Sequence, residues 1–189
     1  MREVTNKIFE KTPSEIEARL QNMGEFVQMS YLQRALNSGL DFETKKFVLV
    51  RLAKIYEKKG MFVDAAKCVK SAADINTTFR GQISDYMKSV ELYIKGSNYA
   101  EADRIFSQAL ALGNTKEKEE MKNNLKNYYM TQGKLYLSGD RRNYAKVVFE
   151  KMLRMDLSVS ERNEVNAILL NLYDKLGNVK EYMKLKQSM

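Results

Sequence analysis

Apolar side chains recur along this chain at the spacing of α-helix faces, and one order of residue types returns several times. A bulky residue, a smaller residue and a tyrosine share a helix face, a glycine follows, and an alanine and two further apolar residues share a face of the next helix. The three fullest copies are Leu49, Ala53, Tyr56, Gly60, Ala65, Val69 and Ala72; Tyr86, Val90, Tyr93, Gly96, Ala102, Phe106 and Ala109; and Tyr129, Gly133, Tyr136, Gly139, Ala145, Phe149 and Met152. A repeated two-helix unit predicts an all-α solenoid of antiparallel helical hairpins.

The predicted array covers residues 44–189 and contains four hairpins. They occupy about residues 46–80, 83–115, 116–158 and 160–189. Aligned starts at positions 46, 83, 126 and 163 are separated by 37, 43 and 37 residues. The longer middle spacing contains the charged run at residues 115–120, which we expect to extend the following helix into solvent.

The first 43 residues match the repeat only weakly. Thr12, Pro13 and Glu15 make a helix-start signal, with Thr12 as the N-cap and Glu15 as its capping-box partner. We therefore expect an N-terminal tail at residues 1–13 and a capping hairpin at residues 14–43. A weak match is expected of a terminal unit, because it has a neighbour on one side only.

Composition agrees with an all-α, folded protein. The hydrophobic share is 44%, Pro13 is the only proline, and no run alternates Val, Ile and Thr as strands do. No stretch approaches the roughly 20 apolar residues that span a bilayer, and the first residues lack a secretory core. We therefore expect a cytoplasmic protein without membrane insertion. Cys68 is the only cysteine, which excludes an internal disulfide and indicates a packing role.

The chain contains no histidine, and this narrows its chemistry. Nucleophile–histidine pairs and the common zinc sites all need imidazole as a base or a ligand. The nine glycines are scattered singly, so no phosphate-binding loop is visible. We therefore expect no catalytic activity, no metal and no cofactor.

The in-phase residues resemble the tetratricopeptide repeat (TPR) family. Its unit places a bulky aromatic, a small residue and a tyrosine before its turn, and alanine and an aromatic after it. Tyr129, Gly133, Tyr136, Ala145 and Phe149 fill those places in the third hairpin. The units here exceed the usual length of about 34 residues, and longer, irregular units also occur in soluble NSF-attachment-protein-like scaffolds. The resemblance implies a right-handed α-α superhelix that binds proteins or peptides.

The resemblance also implies a partner-binding groove, because the first helix of each TPR hairpin lines the concave surface. The groove residues are then Val50, Lys54, Lys58, Met87, Glu91, Ile94, Lys95, Asn127, Met130, Lys134 and Leu137. The apolar members either hold a partner's hydrophobic side chains or pack against neighbouring hairpins, and the lysines suit acidic groups. The Lys/Asn/Arg clamp of chaperone-tail-binding TPR domains is not reproduced at Val50 and Asn127, which disfavours that class of partner.

Positive charge is concentrated in two zones. The chain carries a net charge of +8, made up chiefly of +6 over residues 44–80 and +4 over residues 116–158. Such zones attract acidic proteins or nucleic acid. An RNA-binding helical-repeat protein that uses these basic faces is therefore the alternative interpretation, although no one-base-per-repeat code is visible.

We therefore expect a non-enzymatic scaffold or adaptor that binds a peptide or helical segment of another protein in its concave groove. An acidic partner is one option that the lysines suit, and nucleic acid is less favoured. Self-association is a further expectation, because Tyr182, Met183 and Leu185 lie at the end of the array. An uncapped terminal repeat leaves such an apolar face open.

Overall fold

The computed structural model describes residues 8–189, and this part of the chain is α-helical without a β-strand. Its helices are α1 (Pro13–Leu20), α2 (Glu25–Ala35), α3 (Phe42–Lys58), α4 (Phe62–Asp74), α5 (Phe79–Lys95), α6 (Tyr99–Leu112), α7 (Thr115–Ser138), α8 (Arg142–Met152), α9 (Val159–Lys175) and α10 (Val179–Gln187). The all-α fold class is therefore confirmed. Residues 1–7 of the predicted tail lie outside the described residues.

Side-chain caps mark the starts of α1, α3, α5 and α9. The predicted capping box at Thr12 and Glu15 is present at the start of α1. Asp41, Thr78 and Ser158 cap α3, α5 and α9 by accepting a hydrogen bond from the backbone N–H three residues later. These three helices each begin four residues before the start expected from the hydrophobic repeat, because the cap precedes the first repeat position by a turn of helix.

The four hairpin turns share one backbone arrangement. In each, the N–H of the residue five positions after the repeat tyrosine donates to the carbonyl oxygen of that tyrosine. The bonds run from Met61 to Tyr56, from Asn98 to Tyr93, from Arg141 to Tyr136 and from Asn178 to Tyr173, at 2.8 to 2.9 Å. The residue just before each donor has a positive φ, as the Schellman helix ending requires. The predicted turns are therefore confirmed, and the repeat phase holds in all four hairpins.

The chain divides into two compact units. Unit 1 ends at Lys118 and unit 2 begins at Glu119, so the boundary falls within the first turn of α7. In unit 1, α3 packs on α4, α4 on α5 and α5 on α6, while α1 and α2 pack on α3. In unit 2, α8 packs on α9 and α9 on α10. The extension of α7 through the charged run at residues 115–120 agrees with the sequence prediction.

Small residues bring the paired helices close together. The ring of Phe149 on α8 is fully buried and lies against Gly133 on α7, where a Cβ atom would be 2.6 Å from Phe149 Cζ. In unit 1, the buried hydroxyl of Ser89 on α5 donates to the carbonyl oxygen of Ala66 on α4 at 2.9 Å. Ala65 on α4 and Ala102 on α6 are fully buried.

Residues 8–12, which precede α1, are attached to unit 1. Ile8 is only 9% exposed. The hydroxyl of Thr44 on α3 donates to the carbonyl oxygen of Lys11 at 3.1 Å. The hydrophobic repeat gives no sign of this attachment, because a single isoleucine carries no periodicity.

Candidate partner-binding face

Ion pairs join the first helices of neighbouring hairpins within each unit. We call the surface formed by α1, α3 and α5 in unit 1, and by α7 and α9 in unit 2, the first-helix face of that unit. The groove residues expected from the sequence lie on α3, α5 and α7. Lys54 and Lys58 of α3 are exposed and Val50 is half-buried, so these three remain accessible to a partner.

Two expected groove residues belong to the core instead. Met87 is 6% exposed and Ile94 is 1% exposed. The helix that carries them is enclosed on several sides, since its buried residues also include Tyr86, Val90 and Leu92. Met87 and Ile94 therefore stabilise unit 1 by packing and are not available to a partner.

Glu91 and Lys95, also expected in the groove, take part in an ion-pair network between α3 and α5. Lys95 Nζ lies 2.6 Å from Glu91 and 3.3 Å from Glu57 of α3. Lys88 Nζ bridges the same two carboxylates at 3.1 and 3.2 Å. Two lysines and two glutamates thus neutralise one another and tie neighbouring first helices together.

The network shifts the acidity of its members. Burial alone would raise the pKa of Glu91, but the hydrogen bond and charge of Lys95 and the charge of Lys88 outweigh it, so this pKa lies below the ordinary value of 4.5. Burial alone would lower the pKa of Lys95, yet Glu91 and Glu57 hold it above its ordinary value. Both groups are therefore charged at neutral pH.

Ion pairs also join the capping hairpin to α3. The Arg51 guanidinium binds both carboxylate oxygens of Glu17 on α1, with Nε donating at 2.8 Å. Glu25 of α2 pairs with Lys58 and also lies 3.5 Å from Lys59. The hydrogen bond from Lys58 holds the pKa of Glu25 below its ordinary value.

In unit 2 the expected groove residues stay at the surface. Asn127 and Lys134 of α7 are exposed, while Met130 and Leu137 are half-buried. Lys134 Nζ pairs with Glu164 of α9 at 2.8 Å. About two turns earlier along α7, Lys126 pairs with Glu161 of α9 at 2.9 Å. The first helices of unit 2 are thus linked in the same way as those of unit 1.

These pairings were missed in the sequence, although a signal for them exists. Five cations of the faces each pair with a glutamate between 30 and 38 residues away, about one repeat along the chain; they are Arg51, Lys88, Lys95, Lys126 and Lys134. Aligning charges between neighbouring repeats would have suggested that most groove cations are already paired. Lys54 differs from them, because no carboxylate of the described residues lies within ion-pair distance of it.

A pocket opens on the first-helix face of unit 1 beside Lys54. Its volume is about 130 Å³. Its lining residues are Leu20, Gln28, Arg51, Lys54, Ile55 and Lys58. Leu20 is 3% exposed and forms an apolar floor. Three lining residues are cationic, so the pocket combines an apolar base with a positively charged wall.

Other surface features are apolar. α10 has no buried residue among those described, and Met183 on it is 54% exposed.

Among residues 8–189, no helix is long and apolar enough to cross a bilayer. Within the same range, no group of three or more acidic or cysteine side chains is placed to hold a metal ion.

No protein-family model matches this sequence, and no curated protein matches it. Among solved structures, the chain is similar to the crystal structure of BtubC (BKLC) from P. vanneervenii. The identity is 17% over 92% of this chain and 75% of that chain, with a TM-score of 0.40. A likeness of this size carries no argument about function.

Proposed function

We propose that this protein is a non-enzymatic interaction scaffold of the TPR-like type, which acts in the cytoplasm. It binds a peptide or helical segment of another protein on its first-helix face. The observation that carries the proposal is the face of unit 1, where consecutive first helices are linked by ion pairs and still present accessible apolar and cationic side chains.

Preorganisation is the physical basis of the proposed binding. The pair of Arg51 with Glu17 and the network around Glu57 hold α1, α3 and α5 at fixed spacing before a partner arrives. A surface that needs no rearrangement avoids part of the entropy loss of association. The apolar Val50 and the cationic Lys54 then contact the partner from neighbouring turns of α3.

The charge arrangement supports a protein partner over nucleic acid. Binding to a phosphate backbone draws its affinity from several cations that are free to replace counterions. On the first-helix faces, Lys58, Lys95 and Lys134 are each paired with a carboxylate. Mixed apolar and paired polar groups, together with the unpaired Lys54, suit a protein segment with an acidic residue better than a nucleic acid strand.

Capture on the immobilised protein tests the proposal. Lysate of the source cells is applied with and without nuclease, and the bound material is eluted in rising salt and identified. Discrete proteins retained after nuclease treatment are the expected result. Nucleic acid released at modest salt, with no retained protein after nuclease, would contradict the proposal and favour the alternative function.

A further inference from the structure

The pocket beside Lys54 has the geometry of a small, one-residue site. It lies where the end of α1, the start of α2 and the second half of α3 meet, since Leu20, Gln28 and Ile55 line it from these three helices. The side-chain amide of Gln28 donates to the carbonyl oxygens of Leu20 and Met23, at 2.9 and 3.0 Å. These bonds brace the wall of the pocket, and its volume of about 130 Å³ has room for one short side chain.

The charges around the pocket are unbalanced. Glu17 holds Arg51 on one side, and the single carboxylate of Glu25 is shared by Lys58 and Lys59 on the other. Lys54 lies on α3 between these cations and has no carboxylate partner among the described residues. Four cations therefore face two carboxylates, and the site carries an excess of two positive charges.

We propose that this pocket binds the side chain of a glutamate in the partner segment. The aliphatic part of a glutamate contacts Leu20 and Ile55, and its carboxylate pairs with Lys54. A phosphate group has no apolar part to cover that floor, so the combination of floor and cation selects a carboxylate with a hydrocarbon stem. The inference rests on the proposed function and names the residue that the partner places in unit 1.

Selection from a defined peptide library tests this assignment. The probe is a synthetic pool of random 12-residue peptides, acetylated and amidated at their ends, which is enriched on the full-length protein and sequenced. A second pool carries a free carboxyl terminus. The protein variants are Lys54→Glu and, as a matched control, Lys67→Glu, which reverses an exposed lysine on α4 outside the pocket.

The expected result is a peptide family in which one position is glutamate. Selection on Lys54→Glu loses that glutamate and gains lysine or arginine there, whereas Lys67→Glu keeps it. For one selected peptide, replacing the glutamate by glutamine or using Lys54→Gln weakens the Kd by about tenfold. The two changes together weaken the Kd little more than either change alone, because each removes the same ion pair.

Three outcomes would overturn the assignment. In the first, peptides are enriched without a preferred glutamate, or the same glutamate is selected on Lys54→Glu. Either result would contradict the assignment of the pocket and would leave the proposed scaffold function unaffected. Enrichment of the free-carboxyl pool alone means that the pocket takes a chain terminus and not a side chain. Failure of every pool to enrich contradicts the scaffold function and this assignment with it.

Discussion

Gly133 shows at the scale of one residue why the repeat needs a small side chain in the first helix. The ring of Phe149 fills the space in which a Cβ atom would lie, and that ring is fully buried. A side chain at position 133 must therefore displace packed core atoms.

We predict that Gly133→Ala lowers the free energy of unfolding by about 1 to 3 kcal/mol and that Gly133→Leu lowers it further, because both overpack the contact between α7 and α8. Gly139→Ala is the matched control. Its Cβ would have an ordinary 3.6 Å contact with the Leu135 carbonyl oxygen. Urea titration followed by circular dichroism measures all three variants. A Gly133→Leu protein as stable as the parent would mean that α7 and α8 do not approach closely at this position.

The turn of the second hairpin shows a residue preference that the repeat alone does not explain. Ser97 has φ of 58°, whereas the first and fourth hairpins place Gly60 and Gly177 at the corresponding position. The glycine of the second turn is Gly96, one residue earlier, where a Cβ would lie 2.8 Å from Val63 Cγ2 on α4. Close helix packing therefore requires glycine at position 96. Ser97 then adopts the left-handed conformation, although that conformation favours glycine.

At the scale of helices, the sequence predicted the elements well and the first-helix face only in part. The turns follow from glycines and tyrosines whose spacing is local, so all four could be predicted. The burial of Met87 and Ile94 could not be predicted, because it depends on which helices enclose α5. The pairing of Lys95 with Glu57 likewise joins two helices whose relative register only the folded structure provides.

The network between α3 and α5 predicts a particular response to acid. The pKa of Glu91 is lowered in the folded state, so the unfolded chain binds more protons as the pH falls below about 4.5, and the stabilisation is then lost. We expect Glu91→Gln to flatten the decline of unfolding free energy between neutral pH and pH values below 4.5. Glu181→Gln, at an exposed site on α10, is the control and should keep the parent's slope.

Chemical denaturation at a series of pH values measures that slope. The pKa of Glu25 is also lowered, chiefly by the hydrogen bond from Lys58, and the pKa of Glu161 is lowered by the backbone N–H of Ser158 and by Lys126. Some decline should therefore persist in Glu91→Gln. Identical slopes for Glu91→Gln and the parent would show that the network does not stabilise unit 1.

At the scale of the whole chain, the two units follow one design. Each has first helices joined by ion pairs about one repeat apart, as in the pair of Lys134 with Glu164 in unit 2. The division at residue 118 was not predicted, because it falls inside a continuous helix whose sequence shows no break. What the faces share is a set of accessible side chains on a prearranged frame, which is the physical requirement of a binding scaffold.

The most direct test of this account is the affinity of a captured partner for two matched variants of the protein. The face variant carries Lys54→Glu and Lys134→Glu, and the control variant carries Lys67→Glu and Arg154→Glu outside the first-helix faces. Each variant reverses two exposed cations and breaks one exposed ion pair. The face variant breaks the pair of Lys134 with Glu164, and the control breaks the pair of Lys67 with Asp64. Melting temperature and helicity should therefore stay close to the parent's in both variants. We predict that the face variant loses about tenfold or more in affinity, measured by calorimetry, while the control binds like the parent. Equal binding by the two variants would contradict it.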